Sequence, residues 1–259
     1  MSCRHQRNRR NSLGMLLASG LLAAGILGLT PPSAQAITGG NDVTDDSFGF
    51  VAEVTHTPSG RFCTGTLISS RWVLTAAHCV GGVTDPRVMQ VRVGNNVRSS
   101  GGQVRRADSV RSYPAYSGGH NDVALLRLDS PVYGIAPVQL ANYSLSPRWD
   151  GYGTPPFTRY DDGIAVGWGV NSAGQFPNRL QFRGVDILPA GADNAGIKYI
   201  PTGPGACGGD SGGPLLIYFN SRLYQVGVTK AASCGNNASY SEVGAGYLQD
   251  WIFYQLQIP

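Results

Sequence analysis

Charge of either sign is scarce in this chain of 259 residues, in which Asp, Glu, Lys and Arg together make up 14%. The formal net charge of +4 comes from four arginines among the first ten residues, because 16 basic and 16 acidic residues follow them. A chain body without excess charge has no electrostatic basis for attracting nucleic acid or an anionic membrane. We therefore expect neither as a partner.

Long apolar runs are equally few. Only Leu13–Leu29 approaches the roughly 20 residues of a membrane-spanning helix. It follows the basic head Arg4–Arg10 and precedes the small-residue motif Ala34–Ala36, an order that is typical of a secretory signal peptide covering residues 1–36. A membrane anchor is the alternative, which the shortness of the run and its four glycines disfavour. We expect a secreted, extracellular protein without membrane contact after signal removal.

Cysteine is limited to five residues, and Cys3 lies in the signal segment. An even number remains in the exported part, which favours two disulfides. Four cysteines allow three pairings, and their order in the chain does not choose among them. The four are Cys63, Cys79, Cys207 and Cys234.

Helical periodicity is nearly absent, and there are no heptads or internal repeats. Short β-rich runs separated by turn residues recur instead, at Phe62–Ser69, Trp72–Thr75, Val88–Val93, Val123–Leu128, Leu215–Phe219 and Leu223–Thr229. The last two flank Asn220-Ser221, as in a hairpin. One amphipathic helix is predicted at the end of the chain, with Leu248, Trp251, Ile252 and Gln255 on one face. These patterns predict an all-β body with a C-terminal helix and a loop or linker over 144–163.

Histidine is scarce too, since only three of the four histidines follow the signal segment. His78 ends a β-rich run in the motif TAAHC, Asp122 begins the motif DVALL, and Ser211 lies in CGGDSGGP among residues without bulky side chains. Each motif alone is commonly structural. Together they supply a nucleophile, a base to remove its proton, and a carboxylate to orient that base.

The glycine-flanked serine also fits the pattern G-x-S-x-G of the α/β-hydrolases. That class requires the order serine, acid, histidine. No histidine follows Ser211, and alternating strands and helices are not apparent. The order His78, Asp122, Ser211 is instead that of the chymotrypsin-type enzymes.

The chain thus resembles a secreted serine protease of the chymotrypsin/trypsin family, and a bacterial source is a candidate. The matching motifs, in order, are TAAHC at 75–79, DVALL at 122–126, GWG at 167–169, GDSGGP at 209–214 and the final helix. The resemblance covers the whole chain after the signal segment. It implies two packed six-stranded antiparallel β-barrels with a cleft between them. The first barrel, 37–150, would carry His78 and Asp122, and the second, 151–259, would carry Ser211 and the helix.

The resemblance also implies roles that the residues alone do not assign. It places the oxyanion hole at the N–H groups of Gly209 and Ser211. It pairs Cys63 with Cys79 and Cys207 with Cys234.

An activation mechanism follows from the same resemblance. Relatives are made as zymogens, and the α-ammonium freed by cleavage pairs with the aspartate before the catalytic serine. Here Ile37 would supply the new N-terminus and Asp210 the carboxylate. The signal-peptide exit abuts Ile37, so we expect signal peptidase itself to complete activation.

The pocket for the substrate side chain is expected to be uncharged. Trypsin-like members carry an aspartate two positions before the cysteine of the C-x-G-D-S-G motif, where this chain has Gly205, followed by Ala206. Ala232 and Ala238 stand where roomy pockets have glycine, which would narrow the slot toward smaller apolar side chains. A substrate Arg or Lys would find no carboxylate.

One stretch departs from the family pattern. Relatives usually have Ser-Trp-Gly where this chain has Lys230-Ala231-Ala232. The missing serine would ordinarily bond the catalytic carboxylate. Lys230 either points to solvent or approaches the cleft and favours acidic substrates.

We therefore expect a serine endopeptidase that works through an acyl-enzyme, with a non-catalytic protease-like binding protein as the alternative. No cofactor is expected, and no metal, because the loop 94–103 lacks carboxylates. The expected partner is a peptide or protein substrate, with a protein protease inhibitor as a further candidate. The chain is expected to be a monomer.

Overall fold

The computed structural model describes residues 37, 39–150, 163–171, 174–193 and 196–258, so the expected signal segment lies outside the described residues. Two short α-helices occur among them, α1 (Ala77–Val80) and α2 (Gly246–Gln257), with 3-10 turns at Pro86–Val88 and Tyr143–Arg148. Strands dominate. In chain order they are β1 (Asn41–Asp42), β2 (Val51–His56), β3 (Arg61–Ser69), β4 (Trp72–Thr75), β5 (Met89–Val93), β6 (Gln103–Ser112), β7 (Ala124–Leu128), β8 (Gln139–Leu140), β9 (Gly163–Gly167), β10 (Gln181–Val185), β11 (Gly191–Ala192), β12 (Lys198–Pro204), β13 (Pro214–Phe219), β14 (Arg222–Ala232) and β15 (Asn237–Glu242).

The first half forms the expected closed six-stranded barrel, in the order β2-β3-β4-β7-β6-β5 with all neighbours antiparallel. The predicted runs in this half match β3, β4, β5 and β7 to within one residue at each end. Alternation explains β5, whose first, third and fifth residues are buried. All four residues of β4 are buried, because this strand packs on both faces.

The second half of the fold contains more strands than the six that were expected for the second barrel. Its described residues form a nine-stranded sheet, ordered β1-β10-β9-β13-β14-β15-β12-β11 with β8 joined in parallel to β14. Backbone bonds connect the two ends of the six main strands, from Gly203 N to Asp186 O and from Leu188 N to Pro201 O, each 2.9 Å. The sheet therefore curls into a ring, to which β1 and β8 are contributed by the N-terminal half of the chain.

The predicted hairpin joins β13 and β14. Asn220 and Ser221 both have positive φ, 47° and 62°, as a two-residue turn between twisted strands requires. Helix α2 also presents the predicted face, because Leu248 and Ile252 are buried and the Trp251 ring packs edge-on against Tyr113.

The predicted loop over 144–163 is described only in part. Its first residues belong to the 3-10 turn Tyr143–Arg148, and residues 151–162 lie outside the described residues. The expected division of the chain at residue 150 stays a prediction. Within the described residues, no helix is both long and apolar enough to span a bilayer.

Candidate active site

Strand pairing in the first barrel brings His78 and Asp122 together. His78 lies in α1 directly after β4, Asp122 precedes β7, and β4 pairs with β7 so that Thr75 faces Ala124. His78 Nδ1 lies 2.6 Å from Asp122 Oδ2, and the His78 backbone N–H donates to Asp122 Oδ1 at 2.9 Å. The carboxylate is 1% exposed and the imidazole 34% exposed. The imidazole is thus held by Nδ1, and the one contact of its Nε2 among the described residues is with Cys79 Sγ.

Ser211 lies in the tight turn that leads into β13, and this turn is bonded to both barrels. Gly212 N donates to Thr229 O of the second barrel at 2.8 Å, and Thr64 N of the first donates to Ser211 O at 2.9 Å. His78 Nε2 and Ser211 O both lie 3.7 Å from Cys79 Sγ. No hydrogen bond joins the Ser211 hydroxyl to His78 among the described residues, and such bonds are often loose in unliganded enzymes.

The backbone at Gly209 and Ser211 leaves two N–H groups open. Gly209 has a φ of 99°, a value that side chains rarely allow, and its carbonyl accepts from Thr64 Oγ1 at 2.9 Å. Within the described part of the chain, neither the Gly209 nor the Ser211 N–H donates to any group. Open N–H groups beside a nucleophile can stabilise negative charge that develops on a substrate oxygen.

The Asp210 carboxylate is buried beneath this turn, 1% exposed. Its Oδ1 accepts from Gly169 N at 2.6 Å and its Oδ2 from Cys207 N at 2.9 Å. Burial raises the pKa of Asp210 to about 7, against the lowering effect of these two bonds. The GWG motif is explained here, because a Cβ at Gly167 or Gly169 would lie 2.1 or 2.2 Å from a carboxylate oxygen.

Ile37 is fully buried, at 0% exposure, in the apolar cluster of the second barrel that also contains Ala206 and Tyr240. Gly40 N donates to Ile37 O at 2.5 Å, and Gly39 has a φ of 75°, so the chain turns back immediately after Ile37. In the unprocessed chain the Ile37 nitrogen is part of a peptide bond. Accordingly, no ion pair with Asp210 is present among the described residues.

The predicted pocket residues gather in the second barrel. Ala232 and Ala238 face each other across β14 and β15, so their methyl groups are neighbours. Ala206 is buried, and a side chain at Gly205 would meet Val185 Cγ1 at 2.7 Å. The groups around these positions are apolar.

The Lys230 side chain does not point to solvent. Its side chain is 14% exposed, and Nζ lies 4.0 Å from Asp193 Oδ2 and 5.0 Å from the centre of the Tyr199 ring. The solvent-facing interpretation of Lys230 is therefore wrong.

Two residues of the site were not predicted from the sequence. Thr64 donates through both its N–H and its hydroxyl to the serine turn, although it lies 147 positions before Ser211 in the chain and 145 before Gly209. Tyr240 lies two residues after Ala238 on β15, hence on the same face, and its side chain is fully buried. The period of two along a strand would have placed Tyr240 beside the pocket.

Both disulfides have the expected partners, Cys63–Cys79 and Cys207–Cys234. Within the described residues, the one cluster of three atoms that could bind a metal comprises Cys63, Cys79 and His78. Its two sulfurs are joined in the disulfide and offer no thiolate.

Comparisons with known proteins agree with this geometry. The trypsin family model matches residues 37–252. Trypsin alpha of Drosophila melanogaster is 30% identical over 249 residues, covering 87% of this chain and 89% of that protein. Serine protease 1 of the same species is 31% identical over 242 residues, covering 83% and 84%. A trypsin of Saccharopolyspora erythraea is 34% identical over 233 residues, covering 82% and 95%.

The fold and these matches define the class of protein, a serine endopeptidase. The chain belongs to the trypsin family, since the family model spans most of it. The alternative of a non-catalytic binding protein is set aside.

The close approach of the GWG motif to Asp210 generates a prediction. We expect Gly169→Ala to destabilise the protein by about 2–3 kcal/mol, because the new methyl group displaces a buried, hydrogen-bonded carboxylate. Gly184→Ala is the matched control, since a Cβ there has no atom within 4 Å; its effect should stay within about 0.5 kcal/mol. Urea unfolding midpoints measure both, and equal midpoints would contradict the role of Gly169.

Proposed function

We propose that the protein is a secreted endopeptidase with the catalytic triad Ser211, His78 and Asp122. The observation that supports it most is the 2.6 Å contact between His78 Nδ1 and the buried Asp122 carboxylate. This contact fixes the tautomer that leaves Nε2 free to accept a proton. The shared approach of His78 Nε2 and Ser211 O to Cys79 Sγ supports Ser211 as the source of that proton.

The proposed reaction follows from these positions. Ser211 Oγ attacks the substrate carbonyl carbon while His78 Nε2 takes the hydroxyl proton. The carbonyl oxygen gains negative charge and is bound by the N–H groups of Gly209 and Ser211. His78 then gives its proton to the leaving amine, and an acyl-enzyme on Ser211 remains. Water, activated by the same imidazole, hydrolyses that ester and restores the serine.

Removal of the nucleophile tests the triad. Ser211→Ala should lower kcat by roughly 10⁴ to 10⁶ with the fold retained. Ser211→Ala combined with His78→Ala should be no slower than the single variant, because the residues act as one unit. A fluorophosphonate probe should label the wild type at Ser211 alone, and the exposed Ser70→Ala variant should react normally. Unchanged turnover in Ser211→Ala would refute the proposal.

We propose further that the pocket accepts small apolar side chains. Two acidic residues occur between Gly203 and Gly246, and both carboxylates are engaged elsewhere. Asp210 accepts two backbone N–H groups, and Glu242 Oε1 accepts from Trp149 Nε1 at 2.9 Å. The facing methyl groups of Ala232 and Ala238 support a narrow slot.

Cleavage of a peptide library tests the pocket. Small apolar residues should be preferred over Arg and Lys by about 100-fold or more in kcat/KM, because an unpaired cation is costly to bury. Ala238→Gly is the matched variant and should shift the preference toward Phe and Tyr. A profile dominated by basic residues would contradict the pocket assignment. One dominated by Asp and Glu would instead support a substrate role for Lys230.

The activation pair Ile37 and Asp210 is proposed on three observations. Ile37 is buried, Asp210 is a buried carboxylate with no cation paired to it among the described residues, and burial raises the pKa of Asp210 to about 7. Cleavage before Ile37 would create an ammonium that compensates this charge. The abutting signal-peptide exit supports secretion and activation in one step.

The sign of the pH dependence follows from that pKa. Before cleavage, folded Asp210 binds a proton up to about pH 7, whereas unfolded Asp210 releases it near its ordinary value of 3.8. The folded state therefore binds more protons between these values, and its stability falls as pH rises through that window. After cleavage, the ammonium lowers the pKa of Asp210. The pair's contribution is then lost as pH climbs through the raised pKa of the amine, and also as pH falls through the lowered pKa of Asp210.

A variant that keeps one extra alanine before Ile37 tests this pair. It should be less stable than the form starting at Ile37 by about 3–5 kcal/mol at pH 7.5, with a smaller difference at pH 4.5, and nearly inactive. Urea midpoints at both pH values and kcat/KM are the measurements. N-terminal sequencing of the secreted enzyme should give Ile37. A different start, or full activity with the alanine retained, would refute the mechanism.

A further inference from the structure

The segment that carries Asp122 is strained at its centre. Asn121 has a φ of 54°, in the left-handed region that non-glycine residues rarely occupy. It is buried and stands directly before the proposed catalytic aspartate. Strained residues of this kind persist only where their surroundings hold them, and they cluster at functional sites.

The C-terminal helix holds Asn121 from one side. Tyr247, in the first turn of α2, donates its hydroxyl to Asn121 Oδ1 at 2.6 Å. Asn121 Nδ2 donates to Ala115 O at 3.1 Å, so both ends of the amide are engaged. The Tyr247 ring packs against Tyr113, 5.7 Å between centres. The helix therefore contacts the segment through the Tyr247 side chain, which is 44% exposed and is held by this hydrogen bond and this ring contact.

The second barrel holds the same segment one residue earlier, at His120. His120 Nδ1 contacts Asp193 Oδ2, and the same carboxylate oxygen faces the Lys230 ammonium at 4.0 Å. Asp193 Oδ1 accepts from Ile197 N at 2.9 Å, which ties the carboxylate to its own loop. His120 is thereby anchored across the junction of the two barrels.

These contacts matter because the Asp122 carboxylate itself accepts few hydrogen bonds. Within the described residues, its oxygens accept only from the N–H and the Nδ1 of His78, the residue it has to orient. A hydroxyl from Ser241 reaches only the Asp122 main-chain oxygen, at 3.3 Å. The orientation of the carboxylate must therefore come from the backbone that carries it.

We propose that Tyr247 and Asp193 are positioning residues, which hold Asn121 and the adjacent His120 in place and so orient the Asp122 carboxylate toward His78. The inference rests on the proposed triad. Lys230, whose ammonium faces the same Asp193 oxygen as His120, supports this anchor. The orientation of the Asp122 carboxylate is thus set by the residues that precede it in the chain.

Tyr247→Phe removes the hydroxyl and keeps the ring. We expect kcat to fall about tenfold with KM changed less than about twofold, because the variant disturbs the orientation of the Asp122 carboxylate and leaves substrate binding intact. The low-field proton resonance of His78 Nδ1–H should shift or broaden in the same variant. Tyr254→Phe is the matched control on the same helix, since Tyr254 is 63% exposed, and it should change neither readout.

A double-mutant cycle separates positioning from general destabilisation. In Asn121→Gly the glycine adopts the positive φ without strain, but the side-chain amide that accepts from the Tyr247 hydroxyl is removed. If Tyr247 acts through Asn121, Tyr247→Phe should have no further effect on kcat in the Asn121→Gly background. Asp193→Ala combined with Lys230→Met, which avoids a buried unpaired ammonium, should lower kcat by a similar factor and still add to Tyr247→Phe.

The outcomes distinguish this inference from the proposed triad. Loss of activity in Ser211→Ala with normal kcat and an unshifted resonance in Tyr247→Phe would overturn the positioning role alone. Additive effects of Tyr247→Phe and Asn121→Gly on kcat would do the same. Full activity in Ser211→Ala would overturn the triad itself.

Discussion

The buried carboxylate of Asp210 is the constraint on which much of the site depends. A charge without solvent requires donors, and the donors here are backbone N–H groups of Gly169 and Cys207. Their approach leaves no room for side chains at positions 167 and 169, and it fixes the turn that carries Ser211. Burial raises the pKa of Tyr240, and the charge of the Asp210 carboxylate raises it further, so the influence of Asp210 extends to the residues around Ala238.

The site exists only where the two halves of the chain meet. Thr64 of the first barrel bonds the carbonyls of Gly209 and Ser211, and the Thr75 hydroxyl supports Thr64 in turn, donating to its carbonyl at 2.9 Å. Gly212 has to be a glycine for the same reason, since a Cβ there would lie 2.1 Å from Thr75 Oγ1. The packing between the barrels and the geometry of the serine turn therefore depend on the same threonine and glycine residues.

Sequence reasoning identified the parts that depend on local pattern. The ends of β3, β4, β5, β7 and β13, the hairpin turn at Asn220-Ser221 and the buried face of α2 follow from β-rich runs, turn chemistry and helical period. The partners of the disulfides came from a family resemblance. Thr64 and the left-handed Asn121 were not predicted, because contacts between elements far apart in the chain decide them. The attachment of β1 and β8 to the second sheet is of the same kind.

Few charged side chains are buried among the described residues, and most of them lie near the junction of the two barrels. Glu53 is buried in the first barrel, its pKa raised mainly by that burial, and it accepts from Ser99 N at 2.7 Å. Asp122, Asp210 and the Lys230–Asp193 pair all lie near the junction of the barrels, each with its own donors or counter-charge. Paired buried charges contribute little net stability compared with apolar packing. Their concentration at this junction is therefore better explained by orientation than by stability, since each one fixes a backbone segment that the proposed chemistry requires.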